Sequence, residues 1–244
     1  MAQNRQSAFC AILLLLAGCG QTGVRPRAIS EATNLPRPSR LLVYDFAVSE
    51  SEVKEYQGIM RQQPTIKDPA ERQRILAHDV QEAVASELID GLHGLGFTVE
   101  RVARGTLPTG NDLLIDGQFI DVNEGDRLHR VVLGFGSGAS RVDTQVQVYQ
   151  GEERRKILAF ETHSDSGQLP GAAPMLGAGA VAQGGVTAGA VVANAAMTGA
   201  KVYKSDVERM SANSADQVAR YLSEFFAKQG WIRADQVRKA RMVY

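Results

Sequence analysis

The sequence predicts an α+β fold in which two main helices pack on a mixed, mostly antiparallel sheet of about five or six strands. Three observations carry this prediction: a long helix with one apolar stripe before residue 94, a second amphipathic helix after residue 205, and short alternating apolar segments around and between them. The chain has 244 residues, of which 44% are hydrophobic and 22% are charged. This composition is typical of a folded chain and excludes wholesale disorder.

The N-terminal segment has the pattern of a secretion signal. Arg5 precedes an apolar run from Ala8 to Ala17, and a charged start followed by about 7–15 apolar residues is typical of a signal peptide. The run is too short to cross a bilayer core of about 30 Å as a helix. We therefore expect it to be removed from the mature protein.

The apolar run ends in a motif that resembles the lipobox of bacterial lipoproteins. Leu16, Ala17 and Gly18 stand directly before Cys19, and in a lipobox the leader is cut before a cysteine that then receives acyl chains. The motif predicts residues 1–18 as a lipoprotein signal peptide and Cys19 as the lipidation site, the alternative being an ordinary signal peptide with an incidental cysteine. Three acyl chains hold a protein tightly on a membrane, since each buried CH₂ contributes about 0.8 kcal/mol. Gly20 follows the cysteine, and by resemblance to Gram-negative lipoproteins a residue other than aspartate there predicts the periplasmic face of the outer membrane.

Cysteine usage and net charge exclude several classes of function. The two cysteines, Cys10 and Cys19, lie in the N-terminal segment, so the folded body has no thiol for a nucleophile, a zinc–thiolate site, an iron–sulfur cluster or a disulfide. The 27 Lys and Arg residues balance 27 Asp and Glu residues, which argues against a broad nucleic-acid surface.

The first half of the chain supplies a tether, a strand and the first long helix. Residues 19–40 are predicted as the lipidated cysteine and a flexible tether, because residues 21–40 contain three prolines and few apolar residues. The folded domain is predicted over residues 41–230 and opens with a strand over 41–46. Asp68 as N-cap and Pro69 at the first helical position begin a helix that ends near Gly94. Its apolar stripe recurs every four residues at Leu76, Val80, Val84, Leu88 and Leu92.

The second half supplies four more strands, the second helix and a C-terminal extension. Strands are predicted over 97–102, 113–122, 142–148 and 157–162, with a possible bulge at Gly117. A helix is predicted over 205–230, where Ser214 and Gln217 have capping-box spacing. Residues 231–244 are basic and aromatic. We expect them to dock on the domain or on a partner rather than on anionic lipid headgroups.

An uncharged segment of glycine and alanine separates the last strand from the second helix. No residue from Ser166 to Ala200 is charged, and small residues recur at four-residue spacing at Gly185, Gly189 and Ala193. This pattern lets helices approach closely and marks a candidate partner or oligomer surface. Three interpretations of residues 171–200 stay open: a helical insert packed on itself or on a partner, a membrane-inserted or pore-lining segment, and a flexible loop.

No catalytic, cofactor-binding or metal site is predicted. Gly134–Ala139 contains G-x-G-x-x-A, but a dinucleotide site needs a helix directly after it, and an alternating strand follows instead. The histidines at positions 78, 93, 129 and 163 have no metal-ligand spacing. The acidic residues between Asp112 and Asp126 lack the EF-hand pattern, so we expect them on a solvated face.

Together these features resemble the DUF4410 family of bacterial lipoproteins of unknown function. The resemblance covers about residues 40–229 and is carried by the strand ending in Asp45-Phe46, the helix over 68–94, and R-x-x-x-G-F-G-x-G-x-x-x-V from Arg130 to Val142. The family implies no catalytic residues to carry over. We therefore expect a non-catalytic binding or assembly scaffold of the cell envelope, held on the membrane by acyl chains, with an envelope protein or further copies of itself as partner and no nucleic acid. A lipid-tethered oligomer that inserts residues 171–200 into the membrane is the alternative, and an envelope hydrolase is the third hypothesis.

Overall fold

The computed structural model describes residues 21–29, 34–48, 53–54, 68–123, 140–165 and 206–243. One mixed sheet of seven strands and two main helices account for most of them, which confirms the predicted α+β fold. The elements, in chain order, are β1 (Thr22–Ile29), β2 (Leu41–Tyr44), β3 (Val53–Lys54), α1 (Pro69–His93), β4 (Val99–Val102), β5 (Leu113–Asn123), β6 (Arg141–Gln150), β7 (Arg155–Asp165), α2 (Asp206–Lys228) and a 3₁₀ turn (Ala234–Gln236).

The sheet has the strand order β1-β7-β6-β5-β2-β4, and β3 pairs with β5. The pairs β1–β7, β7–β6 and β6–β5 are antiparallel. In contrast, β2 runs parallel to both of its neighbours, β5 and β4. At one end of the sheet, the Gln21 end, β1 and β6 begin and β5 and β7 end. At the opposite end, the Gly151 end, β6 turns into β7 and β2, β4 and β5 begin.

The hydrophobic core lies between one face of the sheet and the two helices. Alternate residues of β6 and β7 face it, as the buried Val146 and Phe160 show. The helices pack directly on each other, because a Cβ atom on Gly91 would lie only 2.8 Å from the Cβ of Ala219. The largest fully buried side chains of this core are those of Phe160, Phe226, Leu41, Leu88, Leu92, Leu113, Ile115, Ile157, Leu158 and Met210.

The helix starts show which local patterns act as caps. The Asp68 side chain accepts a hydrogen bond from the Ala70 amide at 3.0 Å, and α1 begins at Pro69, as the sequence predicts. The capping box predicted at Ser214 and Gln217 is wrong, because both residues lie inside α2. Gln217 instead accepts the backbone N–H of Arg241 at 2.8 Å.

Gly117 has a different role from the one predicted. The bulge in β5 falls between Phe119 and Asp121, where the pairing register with β6 shifts. Gly117 lies under the Phe46 ring, and a Cβ atom there would be 2.5 Å from Cδ2 of that ring. The missing side chain therefore permits a close approach of two backbone segments.

The prediction of a flexible tether over residues 21–40 is wrong, because β1 pairs with β7 from Thr22 to Ile29. Val24 is fully buried against the core. Pro26 fits this strand because proline is tolerated at sheet edges, where no ladder hydrogen bond from its nitrogen is needed. Leu35, further along the predicted tether, donates its N–H to Gln229 Oε1 at 3.0 Å and accepts from Trp231 Nε1 at 2.8 Å.

The C-terminal extension docks on the domain, in agreement with the prediction. Trp231 is buried and contacts the rings of Phe225 and Phe226. Further on, the tail lies beside β1: the Val24 amide donates to the Arg241 carbonyl at 2.7 Å, and the Val243 amide donates to the Val24 carbonyl at 3.0 Å. Within the described ranges, no helix has the length and apolar character needed to span a membrane.

Candidate functional site at the Gln21 end of the sheet

Most of the residues singled out by the sequence lie outside the described ranges. This holds for the lipobox Leu16, Ala17, Gly18 and Cys19, for the candidate surface at Gly185, Gly189 and Ala193, and for the glycine-rich stretch 134–139. These assignments stay predictions. The structure instead brings together residues that border these stretches in sequence, namely Gln21, Asp143, His163 and Asp165.

The start of β1 is fixed to the end of β7 by side-chain and backbone bonds. The Asp165 amide donates to the Gln21 carbonyl at 2.8 Å, and the Gln21 amide donates to Asp165 Oδ1 at 3.2 Å. One residue further in, the hydroxyl oxygens of Thr22 and Ser164 are 2.8 Å apart. The chain is therefore held in the sheet from Gln21 onward, two residues after Cys19.

The face of the sheet that points away from the core is polar along β6 and β7, and of the described elements neither helix packs on it. Beside β2 the same face carries a small buried apolar cluster of Leu42, Tyr44 and Leu114. Gln118 donates across the β5–β6 pair to Gln145 at 3.1 Å. Further polar side chains of this open face are those of Asp116, Asp143, Gln147, Glu161 and His163, all partly exposed. Amides and charges at alternating strand positions make a surface that suits polar contacts with another molecule.

His163 lies between two carboxylates on this open face. Its Nδ1 is 2.5 Å from Asp143 Oδ1, and its Nε2 is 3.2 Å from Asp165 Oδ2. Asp143 stands directly opposite His163 in the β6–β7 ladder, and Asp165 is the next residue along the same face of β7. On the other side, the residue paired with His163 is Gly23 of β1, which brings no side chain.

This geometry favours the charged form of the imidazole. The hydrogen bond to Asp143 is the main cause that raises the pKa of His163 above its usual value; partial burial opposes it, and the Asp143 charge and the bond to Asp165 add to the increase. With both ring nitrogens facing carboxylates, the protonated ring can donate two hydrogen bonds at once. Protonated His163 can therefore link Asp143 of β6 to Asp165 of β7 next to the start of β1, and this link depends on pH.

The sequence alone did not reveal this cluster. The one available clue is that Asp143 occupies an outward position of the predicted strand 142–148 and that His163 directly follows the predicted strand 157–162. Their pairing depends on the β6–β7 register, and that register shifts by one residue between Val148 and Tyr149. A regular hairpin counted from the turn would therefore have paired the wrong residues.

Three of the longer strands border stretches outside the described ranges at the Gln21 end. Asn123 pairs with Arg141 across the β5–β6 ladder, so the described chain stops after β5 and resumes before β6 at this end. Asp165 ends β7 at this end. The other end of α2 packs at the Gly151 end, where the rings of Phe226 and Phe97 are 4.9 Å apart, and 23 helical residues extend about 34 Å. The start of α2 at Asp206 is therefore directed toward the Gln21 end.

Two arginines near the ends of β2 and β4 are paired with carboxylates. Arg101 binds Asp45 at 2.5 Å and Glu82 at 2.7 Å, and Arg104 binds Asp116 at 2.8 Å. These pairs join the ends of β2 and β4 to α1 and β5. Since each guanidinium already has a carboxylate, the pairs fit a structural role.

The expected solvated position is wrong for Asp112. Its side chain is only 3% exposed, and its Oδ2 accepts from Arg40 Nε at 3.0 Å, from the Thr109 amide at 3.1 Å and from Thr109 Oγ1 at 3.0 Å. Three donors on one oxygen stabilise a buried carboxylate. Asp112 therefore fixes the turn before β5 at the Gly151 end.

The histidines do not form a metal site within the described residues. His78 is exposed on α1, and His93 lies at the end of that helix with Nδ1 3.2 Å from the Phe97 carbonyl. No group of three or more His, Cys, Asp and Glu residues in the described ranges has the geometry to hold a metal ion. His129 lies outside those ranges.

Comparison with known proteins identifies one family. The family described as "Domain of unknown function (DUF4410)" matches residues 41–183. No curated protein matches the chain. Among solved structures, the chain is similar to the PelC dodecamer from Paraburkholderia phytofirmans, at 8% identity and a TM-score of 0.38, over 90% of this chain and 100% of that one. It is also similar to the DUF330 protein XCC0632 from Xanthomonas campestris, at 12% identity and a TM-score of 0.32, over 84% of this chain and 94% of that one. Similarity at this level supports no conclusion about function.

Proposed function

The chain belongs to the DUF4410 family, and on that premise we propose that it is an outer-membrane lipoprotein anchored through Cys19. Its α+β domain lies in the periplasm and acts as a non-catalytic binding or assembly module of the cell envelope. The observation that carries the proposal is the fixed start of β1, because Gln21 is bonded to Asp165 only two residues after the predicted lipidation site. Acyl chains on Cys19 would thus be attached directly to a folded surface.

The anchor is tested by labelling and fractionation of the full-length protein in a Gram-negative host. We expect the parent protein to incorporate radiolabelled palmitate and to sediment with outer membranes. Cys19→Ala should lose the label. Gly20→Asp should stay in the inner membrane and the matched control Gly20→Ser should not. A palmitate-free parent protein, or one released by salt alone, would contradict the anchor.

The binding role is supported by the open face of the sheet. Gln118 and Gln145 present partly exposed amide groups at its centre, and amide groups on a sheet face can satisfy polar groups of a partner. A photo-crosslinking amino acid at Gln118 should give discrete adducts in intact cells. The control carries the same photo-crosslinking amino acid in place of His78, whose side chain is 77% exposed on α1. Equal adducts from both positions, or none from Gln118, would contradict a binding role for the open face.

A second candidate function is that of a lipid-tethered oligomer that inserts residues 171–200 into the membrane. The observation that favours it is that Asp165 and the start of α2, which bound this segment, both lie toward the Gln21 end, beside the predicted anchor. Alkaline carbonate extraction of a Cys19→Ala variant tests it, with residues 1–18 replaced by a signal peptide that is cleaved without lipidation. Retention in the membrane would support insertion, and full release would exclude it.

A further inference from the structure

We infer that the Gln21 end of the sheet is the surface that faces the lipid bilayer and that the Gly151 end points away from it. The inference rests on the proposed lipidation of Cys19 and adds the orientation of the domain. Its partner is a lipid surface rather than a protein. It follows from the length of chain between the anchor and the first fixed residue.

The link between anchor and domain is very short. Gln21 is fixed by its two hydrogen bonds to Asp165, so only Gly20 separates it from Cys19. Two residue steps span at most about 7 Å when fully extended. A cysteine whose acyl chains are in the membrane therefore holds Gln21 at headgroup level.

The link cannot lengthen unless β1 leaves the sheet. On one side, residues from Thr22 to Ile29 are paired with β7. On the other side, the tail bonds both the amide and the carbonyl of Val24. Val24 is also fully buried, so detaching β1 would expose apolar surface and leave backbone groups unpaired.

The two ends of the sheet lie at distinct heights above the membrane in this orientation. Arg141 stands at the Gln21 end, opposite Asp165 in the ladder. Gln150, at the other end of the same strand, is nine residue steps away, or about 30 Å at the rise of a β-strand. A link of about 7 Å cannot bring both ends to the headgroups unless the sheet lies flat.

The test uses two versions of the full-length lipidated protein, each with a single fluorophore. One carries it at the start of β6 and the other in the turn after β6. Arg141 and Glu153 are both exposed, and single variants Arg141→Cys and Glu153→Cys offer the only free thiol once Cys10 is removed with the leader and Cys19 is alkylated. Each labelled protein is placed in phosphatidylethanolamine–phosphatidylglycerol vesicles with a headgroup nitroxide quencher. We expect several-fold stronger quenching at position 141 than at position 153.

Equal quenching at the two positions, or stronger quenching at position 153, overturns the inferred orientation. Mass analysis of the same samples separates this failure from failure of the proposed anchor, since a chain without acyl groups refutes both. A flexible 20-residue Gly/Ser insert after Gly20 is the control, because it spans about 25 Å on average. The insert should remove the difference between the positions, and a persisting difference would overturn the short-link argument.

Discussion

Adding a single methyl group at Gly117 should destabilise the domain by about 1–3 kcal/mol. A Cβ atom at this position would lie 2.5 Å from Cδ2 of Phe46 and closer still to two further ring atoms, whereas carbon atoms in contact prefer about 3.5–4.0 Å. The ring would therefore have to move by about 1 Å or more. It has little room, because Phe46 is 2% exposed and packs edge-on against Phe119 with ring centroids 6.3 Å apart.

The backbone around Phe46 cannot relieve this clash by moving away. The Ala47 amide donates to the Gly117 carbonyl at 2.8 Å, and the Phe119 amide donates to the Ala47 carbonyl at 2.8 Å. The Phe46 carbonyl also accepts from Gln81 Nε2 at 2.7 Å. Separating the two segments would break these bonds, so the strain remains in the folded state.

Urea unfolding followed by the fluorescence of Trp231 measures the effect, since this is the single tryptophan of the chain and is buried. Gly94→Ala is the control, because its Cβ would meet neighbours only at 3.5 Å and should leave stability nearly unchanged. In a Phe46→Leu background, the cost of Gly117→Ala should fall by about 1 kcal/mol or more. Equal costs in both backgrounds would refute the steric explanation.

Three further substitutions follow from the described contacts. His163→Gln should lower the free energy of unfolding by about 1–3 kcal/mol near pH 6. The loss should shrink at higher pH, because a histidine whose pKa is raised in the folded state stabilises the fold fully below its unfolded pKa and less as the pH rises through its folded pKa. A pH-independent loss in urea titrations would contradict the charged imidazole. Gly23→Ala should speed tryptic cleavage of the tail, since the new Cβ would be 2.6 Å from Val243 Cγ1; unchanged cleavage would show that the tail adapts. Asp112→Asn should cost about 1.5–3 kcal/mol in chemical unfolding. Glu100 is the matched control, because it binds the same Arg40 at 2.9 Å but its side chain is 43% exposed, and Glu100→Gln should cost less than about 1 kcal/mol. Similar losses would show that burial of Asp112 does not decide the effect.

Local periodicity made the helices and most strands predictable. The four-residue apolar spacing from Leu76 to Leu92 and the Asp68 cap are properties of one segment, and α1 follows them closely. Alternation in β6 did the same, because its inward valines are buried as expected. Such features need no knowledge of distant partners.

Features that depend on distant partners were not predictable. Val24 is the one buried aliphatic side chain of β1, and its partners in β7 and in the C-terminal tail are more than 130 residues away in sequence. The proline and arginines around it favoured a tether on local grounds. The cluster around His163 was not predictable for a related reason, since a one-residue shift in the β6–β7 register decides which side chains lie opposite each other.

The position of β1 between β7 and the C-terminal tail has a consequence for the order of folding. Thr22 is synthesised early, yet its partner Ser164 and the tail residues that bond Val24 come 142 positions later or more. Closing so long a loop costs entropy that is recovered only when these contacts form. The edge of the sheet should therefore be completed last, and in a chain truncated before Arg241 the Val24 amide should exchange with solvent, because it loses its acceptor while β1 keeps its pairing with β7.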